Sequence, residues 1–293
     1  MRDYLDMDMA AGERPGLPLE QVSETERMTR QDRKIFRRKA AREQSHVTLN
    51  MDTPVRNLPA TLPEPWDRLT RVKPGLQDIN GGPAALVSLF RDDPAARAFD
   101  LLRTRLMQTL RSKGWRRVAI AAPTAGCGAT FTAVNLALSL ARVPETRTVL
   151  MDMNRRNPGV ANALGLQGVG DMEGFLRGHV ATGDHLVRCS EGLALGLADS
   201  PDRNAAETLH DPRCTHALDE MMLSLNPDVV LYDLPPILSF DDVTAFLPQV
   251  DALLLVADGT KTTAAQIRAC EDLLGDQGEL LGVVLNQARD ADR

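Results

Sequence analysis

Five short apolar runs stand out in the second two thirds of the chain: RVAIAA at 117–122, TVLMD at 148–152, DVVLYD at 228–233, ALLLVAD at 252–258 and LLGVVLN at 280–286. Each has the length of a strand and is apolar on successive rather than alternate positions, the pattern of a strand buried on both faces. Between them FTAVNLALSLAR, the stretch around Thr215 to Leu223, and TTAAQIRACEDLL are long enough for helices. Strands alternating with helices predict an α/β fold, a doubly wound and mostly parallel sheet covered by helices on both sides. In that architecture ligands sit beyond the carboxyl ends of strands, so the residues just after each run are where chemistry is sought.

From Met1 to about Pro94 the pattern is different. Prolines are scattered (Pro15, Pro18, Pro54, Pro59, Pro63, Pro65, Pro74, Pro83), apolar clusters are few and no period is sustained. Residues 1–94 therefore read as a mostly disordered linker, with Trp66 as a linker contact, and 95–293 as the folded domain. Within the linker, Arg27 to Glu43 carries eight basic and two acidic residues with no proline, and reads as a helix. It is either a solvated charged helix or an anchor on anionic lipid or an acidic partner; its apolar face (Met28, Ile35, Phe36, Ala40, Ala41) is thin for the second role.

Charge and cysteine content narrow the function. The 293 residues carry a net charge of −6, and the acidity lies wholly in residues 91–293, with 20 basic against 27 acidic side chains, so no nucleic acid partner is expected. Cys127, Cys189, Cys214 and Cys270 show no CxxC spacing, which argues against a zinc site or a disulfide framework and for a reducing, cytoplasmic setting. No apolar run approaches the roughly 20 residues that span a bilayer, so any work at a membrane is expected to depend on another chain. His46, His179, His185, His210 and His216 are scattered and no nucleophile turn accompanies them, which leaves no hydrolase triad.

The first apolar run leads through PTAGCGAT directly into FTAVNLALSL. A glycine loop between a buried strand and a helix start is the setting of a phosphate loop: backbone N–H groups curl round an anion and the helix N-terminus adds partial positive charge. The candidate nucleotide-binding residues are Thr124, Ala125, Gly126, Cys127, Gly128, Ala129, Thr130 and Phe131. Against G-x-x-x-x-G-K-[ST], Gly128 and Thr130 match, but Pro123 replaces the first glycine and Ala129 the lysine. Taken alone, the loop is also what any tight strand-to-helix turn would contain. Cys127 is either a small loop filler or a thiolate stabilised near a helix N-terminus for redox sensing. Asp152 and Asp233 end the second and third runs, with Arg155 and Arg156 just after the first of them; either aspartate also suits a strand-end cap.

With these strand ends in hand, the sequence resembles the cytoplasmic tyrosine kinases of bacterial capsule and exopolysaccharide assembly, the CpsD/CapB-type BY-kinases, P-loop NTPases of the MinD and ParA branch. AGCGATF, VLMDMNRRNP and VLYDLPP correspond to that family's phosphate loop, its second acidic motif and its Walker B strand. NAAETLHDPR at 204–213, Asp242, DGTKTT at 258–263 and GVVLNQ follow in the family's order, so the resemblance runs from Arg97 to Asn286. It implies ATP or ADP with Mg²⁺ as cofactors, with Thr130, Asp152 and Asp233 as metal shell, Asp152 and Asp233 as catalytic residues, and Arg155 or Arg156 beside the nucleotide. It also implies a membrane polysaccharide co-polymerase of the Wzz type as partner through its cytoplasmic segment, and a peripheral place at the membrane.

The departures matter as much. Ala129 removes an ammonium worth about 1.5–3 kcal/mol in a charge-assisted bond, roughly tenfold to a hundredfold in affinity, and more where charge develops during phosphoryl transfer. The branch's second lysine, which would align near Thr124, is absent, and Asn154 stands for the second aspartate of the acidic motif. The tyrosines are Tyr4 and Tyr232, the latter inside a strand, so the family's tail of acceptor tyrosines has no counterpart. In the helix before the first strand, Arg97, Asp100 and Arg103 occupy the family's E-x-x-R-x-x-R positions with the first two signs exchanged; they would either join subunits of a homo-oligomer or form an ordinary i, i+3 pair. The expectation is a degenerate BY-kinase-like regulator or adaptor. The alternatives are an active tyrosine kinase acting on a separate protein, and a positioning ATPase like MinD and ParA.

Overall fold

The computed structural model describes residues 63–75, 86–89, 92–166 and 170–288; the basic stretch at 27–43 and Tyr4 lie outside them. Eight strands form one sheet: β1 Thr70–Arg71, β2 Arg117–Ala121, β3 Thr148–Asp152, β4 Val187–Ser190, β5 Leu193–Gly196, β6 Val229–Asp233, β7 Ala252–Asp258 and β8 Leu280–Asn286. Their order is β1-β4-β5-β3-β6-β2-β7-β8, and every neighbouring pair is parallel except the β4–β5 hairpin. All five expected strands are present. Every residue of β3, β6 and β7 is buried, as the continuous apolar runs demanded, but β8 departs from that expectation: it is the edge strand, and Val283 and Leu285 are exposed.

Each face of the sheet has its own core. On one, the helices Pro94–Lys113 and Ala129–Leu140 bring Phe99, Leu106, Leu110, Val134, Leu136 and Leu140 against Val118, Ile120, Leu150 and Val256. On the other, the helices Pro212–Leu225 and Ala264–Leu274 bring Leu218, Met221, Leu225, Cys270 and Leu274 against Ala119, Met151, Tyr232 and Leu255. Local chemistry fixes these helices: Asp93 and Asp211 accept from the N–H two residues on with proline at the first position, and Thr263 and Gln266 form a capping box. Gly114 and Asn226, both left-handed, end the first and third.

The expected linker is not linker throughout. At Pro65–Arg68 the chain makes one helical turn that buries Trp66, and β1 then adds a parallel edge strand to β4. Composition hid this because a single Trp and a single Leu, Trp66 and Leu69, supply the apolar content, and Arg188 on β4 supplies the rest through hydrogen bonds. The hairpin β4–β5 also escaped notice: β5 is only LALG, and β4 carries Arg188 in its middle.

Candidate functional site

β2 and β6 are neighbours in the middle of the sheet, and the loop after β2 crosses above the end of β6. Gly126 (φ 84°) and Gly128 (φ 89°) both take the left-handed conformation that curls the loop. Gly128 is held by contact as well, since a Cβ there would run into the Asn286 side-chain amide, whose Nδ2 donates to the Cys127 carbonyl at 2.9 Å. The helix from Ala129 starts without a side-chain cap, so the N–H groups of its first turn have no intrahelical acceptor. A cavity of about 530 Å³ opens over this loop, lined by Thr124 to Phe131 together with Asn154, Arg156, Asn157, Gly159, Leu234, Pro236 and Phe240.

Beneath the loop lie the two aspartates. Asp152 and Asp233 are register partners on β3 and β6 and are fully buried. Thr130 Oγ1 donates to Asp233 Oδ2 at 2.6 Å. Asp152 Oδ2 accepts from the N–H groups of Gly159 and Val160, both at 3.0 Å. Each carboxylate leaves its second oxygen, Oδ1, without a hydrogen-bond partner. Burial pushes Asp152 up to about 6 against those backbone hydrogen bonds. Burial and then the neighbouring Asp152 raise Asp233 well above the usual carboxylate range, opposed by the Thr130 bond. Two adjacent buried carboxylates with orphaned oxygens and a hydroxyl alongside are a donor set that suits Mg²⁺, a hard cation taking oxygen ligands. Of the three, Thr130 lines the cavity, and Asp152 and Asp233 lie beneath it, outside the lining.

The arginines divide. Arg156 lines the cavity, but its Nε and Nη2 are bound to the buried Asp242 at 3.1 and 3.0 Å, its Nη1 donates to the Arg203 carbonyl, and its guanidinium lies 5.1 Å from the Phe240 ring centroid. Arg155 turns into the protein, 3% exposed, 3.6 Å from Asp202, and is not among the lining residues. The expectation that either sits at the nucleotide is therefore corrected for Arg155: the residue after Asn154 faces the interior, and only the next one faces the cavity.

Cys127 Sγ lies 3.5 Å from Thr124 Oγ1 and 3.6 Å from Thr262 Oγ1. Burial raises its pKa, yet the hydrogen bonds from Thr124 and Thr262 outweigh it and hold the thiol below its ordinary value. Asp100 and Arg103 face inward onto the next helix: Asp100 Oδ1 accepts from Arg103 at 3.1 Å, from Ser139 Oγ at 2.7 Å and from Arg142. Of the three positions considered for a subunit interface, Arg97 is the exposed one. Sequence reasoning missed Asn286, Gly159 and Val160 as parts of the site. Asn286 was legible as the end of a strand, but its aim at a loop 159 residues away was not.

A central parallel strand, a glycine loop, a following helix and acidic strand ends beneath the loop define the P-loop NTPase fold. No family model matches the chain. Over 200 residues, 67% of this chain, it is 28% identical to "Putative tyrosine-protein kinase EpsB" of Ralstonia solanacearum, and it spans only about a quarter of that relative, 26% of its length. Among solved structures it is similar to the kinase domain of the Escherichia coli tyrosine kinase ETK (20% identity, TM-score 0.65, 80% of this chain and 97% of that one). It is also similar to the BceF tyrosine kinase domain (26% identity, TM-score 0.61, 70% and 82%). The domain is accordingly similar in sequence and fold to these bacterial tyrosine-kinase domains, and alanine stands at residue 129.

Proposed function

We propose that this chain is a kinase-derived regulator of exopolysaccharide or capsular polysaccharide assembly, which holds ATP or ADP with Mg²⁺ as a conformational signal and transfers phosphate weakly or not at all. The observation that carries this reading is a division within one site. The backbone cradle and the buried carboxylate pair are in place, while Ala129 offers no ammonium and Arg156, the one cationic side chain among the described lining residues, is already bound to Asp242.

In this reading the N–H groups around Gly126 to Thr130 receive phosphate oxygens, and Thr130, Asp152 and Asp233 hold Mg²⁺, which supplies neutralisation of phosphate charge. Gly159 and Val160 keep Asp152 Oδ2 occupied, so its Oδ1 is the oxygen left to face a ligand. The expected partner is the cytoplasmic segment of a membrane polysaccharide co-polymerase, which would bring the protein to the membrane. No helix among the described residues is long and apolar enough to cross a membrane.

Calorimetry with Mg·ADP on the full chain, beside Ala129→Lys, tests the reading. Micromolar binding by the wild type, tightened tenfold to a hundredfold by the lysine, is expected. Absence of binding by both proteins would remove the nucleotide from the account. The competing reading, an active tyrosine kinase acting on a separate protein, draws on the retained Asp152 and Asp233. It requires phosphate transfer from ATP to a partner tyrosine that Asp233→Ala abolishes.

A further inference from the structure

The segment Pro63–Gly75 is fastened to the domain at three points. Trp66 is buried in the core and its Nε1 donates to the Glu191 carbonyl at 3.1 Å. Arg188, 1% exposed in the middle of β4, donates to the Trp66 carbonyl at 3.2 Å, to Asp67 Oδ1 at 2.6 Å and to Glu191 Oε2 at 3.1 Å. A guanidinium this deeply buried is costly to leave unpaired, and two of its three hydrogen-bond partners, the Trp66 carbonyl and Asp67, lie on the segment, although Asp67 itself is half exposed. At the far end, Val72 N–H donates to the Arg188 carbonyl at 2.9 Å and Gly75 N–H to the Leu164 carbonyl at 3.0 Å.

That last contact leads to the site. Leu164 closes the short helix Val160–Ala163, and its own N–H donates back to the Val160 carbonyl at 3.1 Å. The opposite end of the same helix supplies the two N–H groups that fix Asp152, and Gly159 packs so tightly on Thr130 that a Cβ there would lie 3.2 Å from its methyl group. Gly75 and Gly165 meet backbone to backbone; a Cβ on Gly75 would stand 2.8 Å from the Gly165 carbonyl oxygen, and one on Gly165 would strike the Gly75 carbonyl. One helical turn is therefore strung between the segment and the carboxylate floor, with glycine on both sides of the join.

We propose that Pro63–Gly75 is a strap whose seating positions Asp152 through the Val160–Ala163 turn, so that a pull on the chain preceding Pro63 is read at the carboxylate pair. The coupling stands on the contacts above; its use as regulation rests on the nucleotide reading. Such transmission requires an element with two arrangements whose balance is biased from both ends.

Hydrogen exchange on the full chain tests the coupling without any ligand. Gly75→Val wedges the strap off Gly165, and Trp66→Ala unseats its other end. Each is expected to speed exchange at Val72 and, at least tenfold, at Gly159 and Val160, while β7 keeps its protection. Fast exchange at Val72 with Gly159 and Val160 unchanged would overturn the coupling. Unchanged exchange at Val72 in both variants would show that the strap is not seated as described, and would overturn it equally. Mg·ADP calorimetry then separates the two claims. Binding at equal strength in wild type and Gly75→Val refutes the regulatory use. No binding by wild type refutes the nucleotide reading and with it that use, while the exchange result still decides the coupling.

Discussion

The loop above the site and the floor beneath it differ in what fixes their side chains. The floor and the interior next to it hold buried polar groups at a cost: Asp152 and Asp233 each have an unpartnered oxygen, Arg155 has two unpartnered nitrogens, and both ring nitrogens of His185 lack partners. The loop instead carries a half-buried Ala129 at the helix start, and its backbone is set by Gly126, Gly128 and the Asn286 contact. Packing constrains a buried charge from all sides, whereas an ammonium pointing into a cavity is constrained only by what it binds. The shape of the loop therefore does not depend on which side chain stands at position 129.

The largest effect that would sharpen this contrast lies on the floor. Asp233→Asn should cut Mn²⁺ affinity more than a hundredfold, since a charged metal ligand is lost. In the metal-free protein it should raise stability, because burial and the adjacent Asp152 both disfavour a charge at that position. A drop in denaturant midpoint would mean that the pair is not the buried like-charged couple described.

His185, stacked on Phe175 at 4.7 Å between ring centroids, is held down to about 4 chiefly by burial. Asp171 and Asp199 pull it up and Arg155 pushes it down. A histidine whose folded pKa lies below its unfolded value of about 6.5 contributes stability that is complete above 6.5 and is lost as pH falls toward 4. The loss should reach about 3 kcal/mol, and His185→Phe should flatten that part of the stability profile. An unaltered profile would show that His185 is not buried in its neutral form.

On the loop side, Ala129→Lys should tighten Mg·ADP binding by about 1.5–3 kcal/mol and leave the melting temperature of the free protein within about a degree. A large change in melting temperature would break the comparison, since it would mean that the lysine position is coupled to the fold. Gly128→Ala should cost about 1–2 kcal/mol, because its φ of 89° strains any residue with a Cβ and the Asn286 amide must give way. Asp100→Ala should have the smallest effect, about 1 kcal/mol of stability with no change of oligomeric state, because its partners Arg103, Ser139 and Arg142 lie within its own chain and the group is partly exposed. A shift in sedimentation coefficient would restore Asp100 to a subunit interface.

Particular residues mark what could be foreseen. β2, β3, β6 and β7 were legible because strands inside a covered parallel sheet must be apolar at nearly every position, β8 was legible as an equally apolar run although it lies at the edge, and Asp152 and Asp233 were visible as charges that close such runs. β1 and β4 were not: β1 is a two-residue edge strand with both residues exposed, and β4, only four residues long, carries Arg188, which reads as a surface residue until its three partners are found. Arg155 and Arg156 are adjacent and chemically identical, so the choice of which faces the cavity belongs to Asp202 and Asp242, 47 and 86 residues further along.

By itself, then, the sequence determined the alternation of strands and helices, the place of the glycine loop, the pair of acidic strand ends and the missing lysine. These are local matters of burial period, backbone freedom and residue identity. Tertiary structure alone decided that Asn286 braces the loop, that Asp100 is satisfied within its own chain, and that the segment Pro63–Gly75 is bound by Arg188 near one end and by the Leu164 carbonyl at the other. Those outcomes depend on hydrogen-bonding groups meeting across the fold, and the chain order carries no record of a meeting until the sheet has brought its strands side by side.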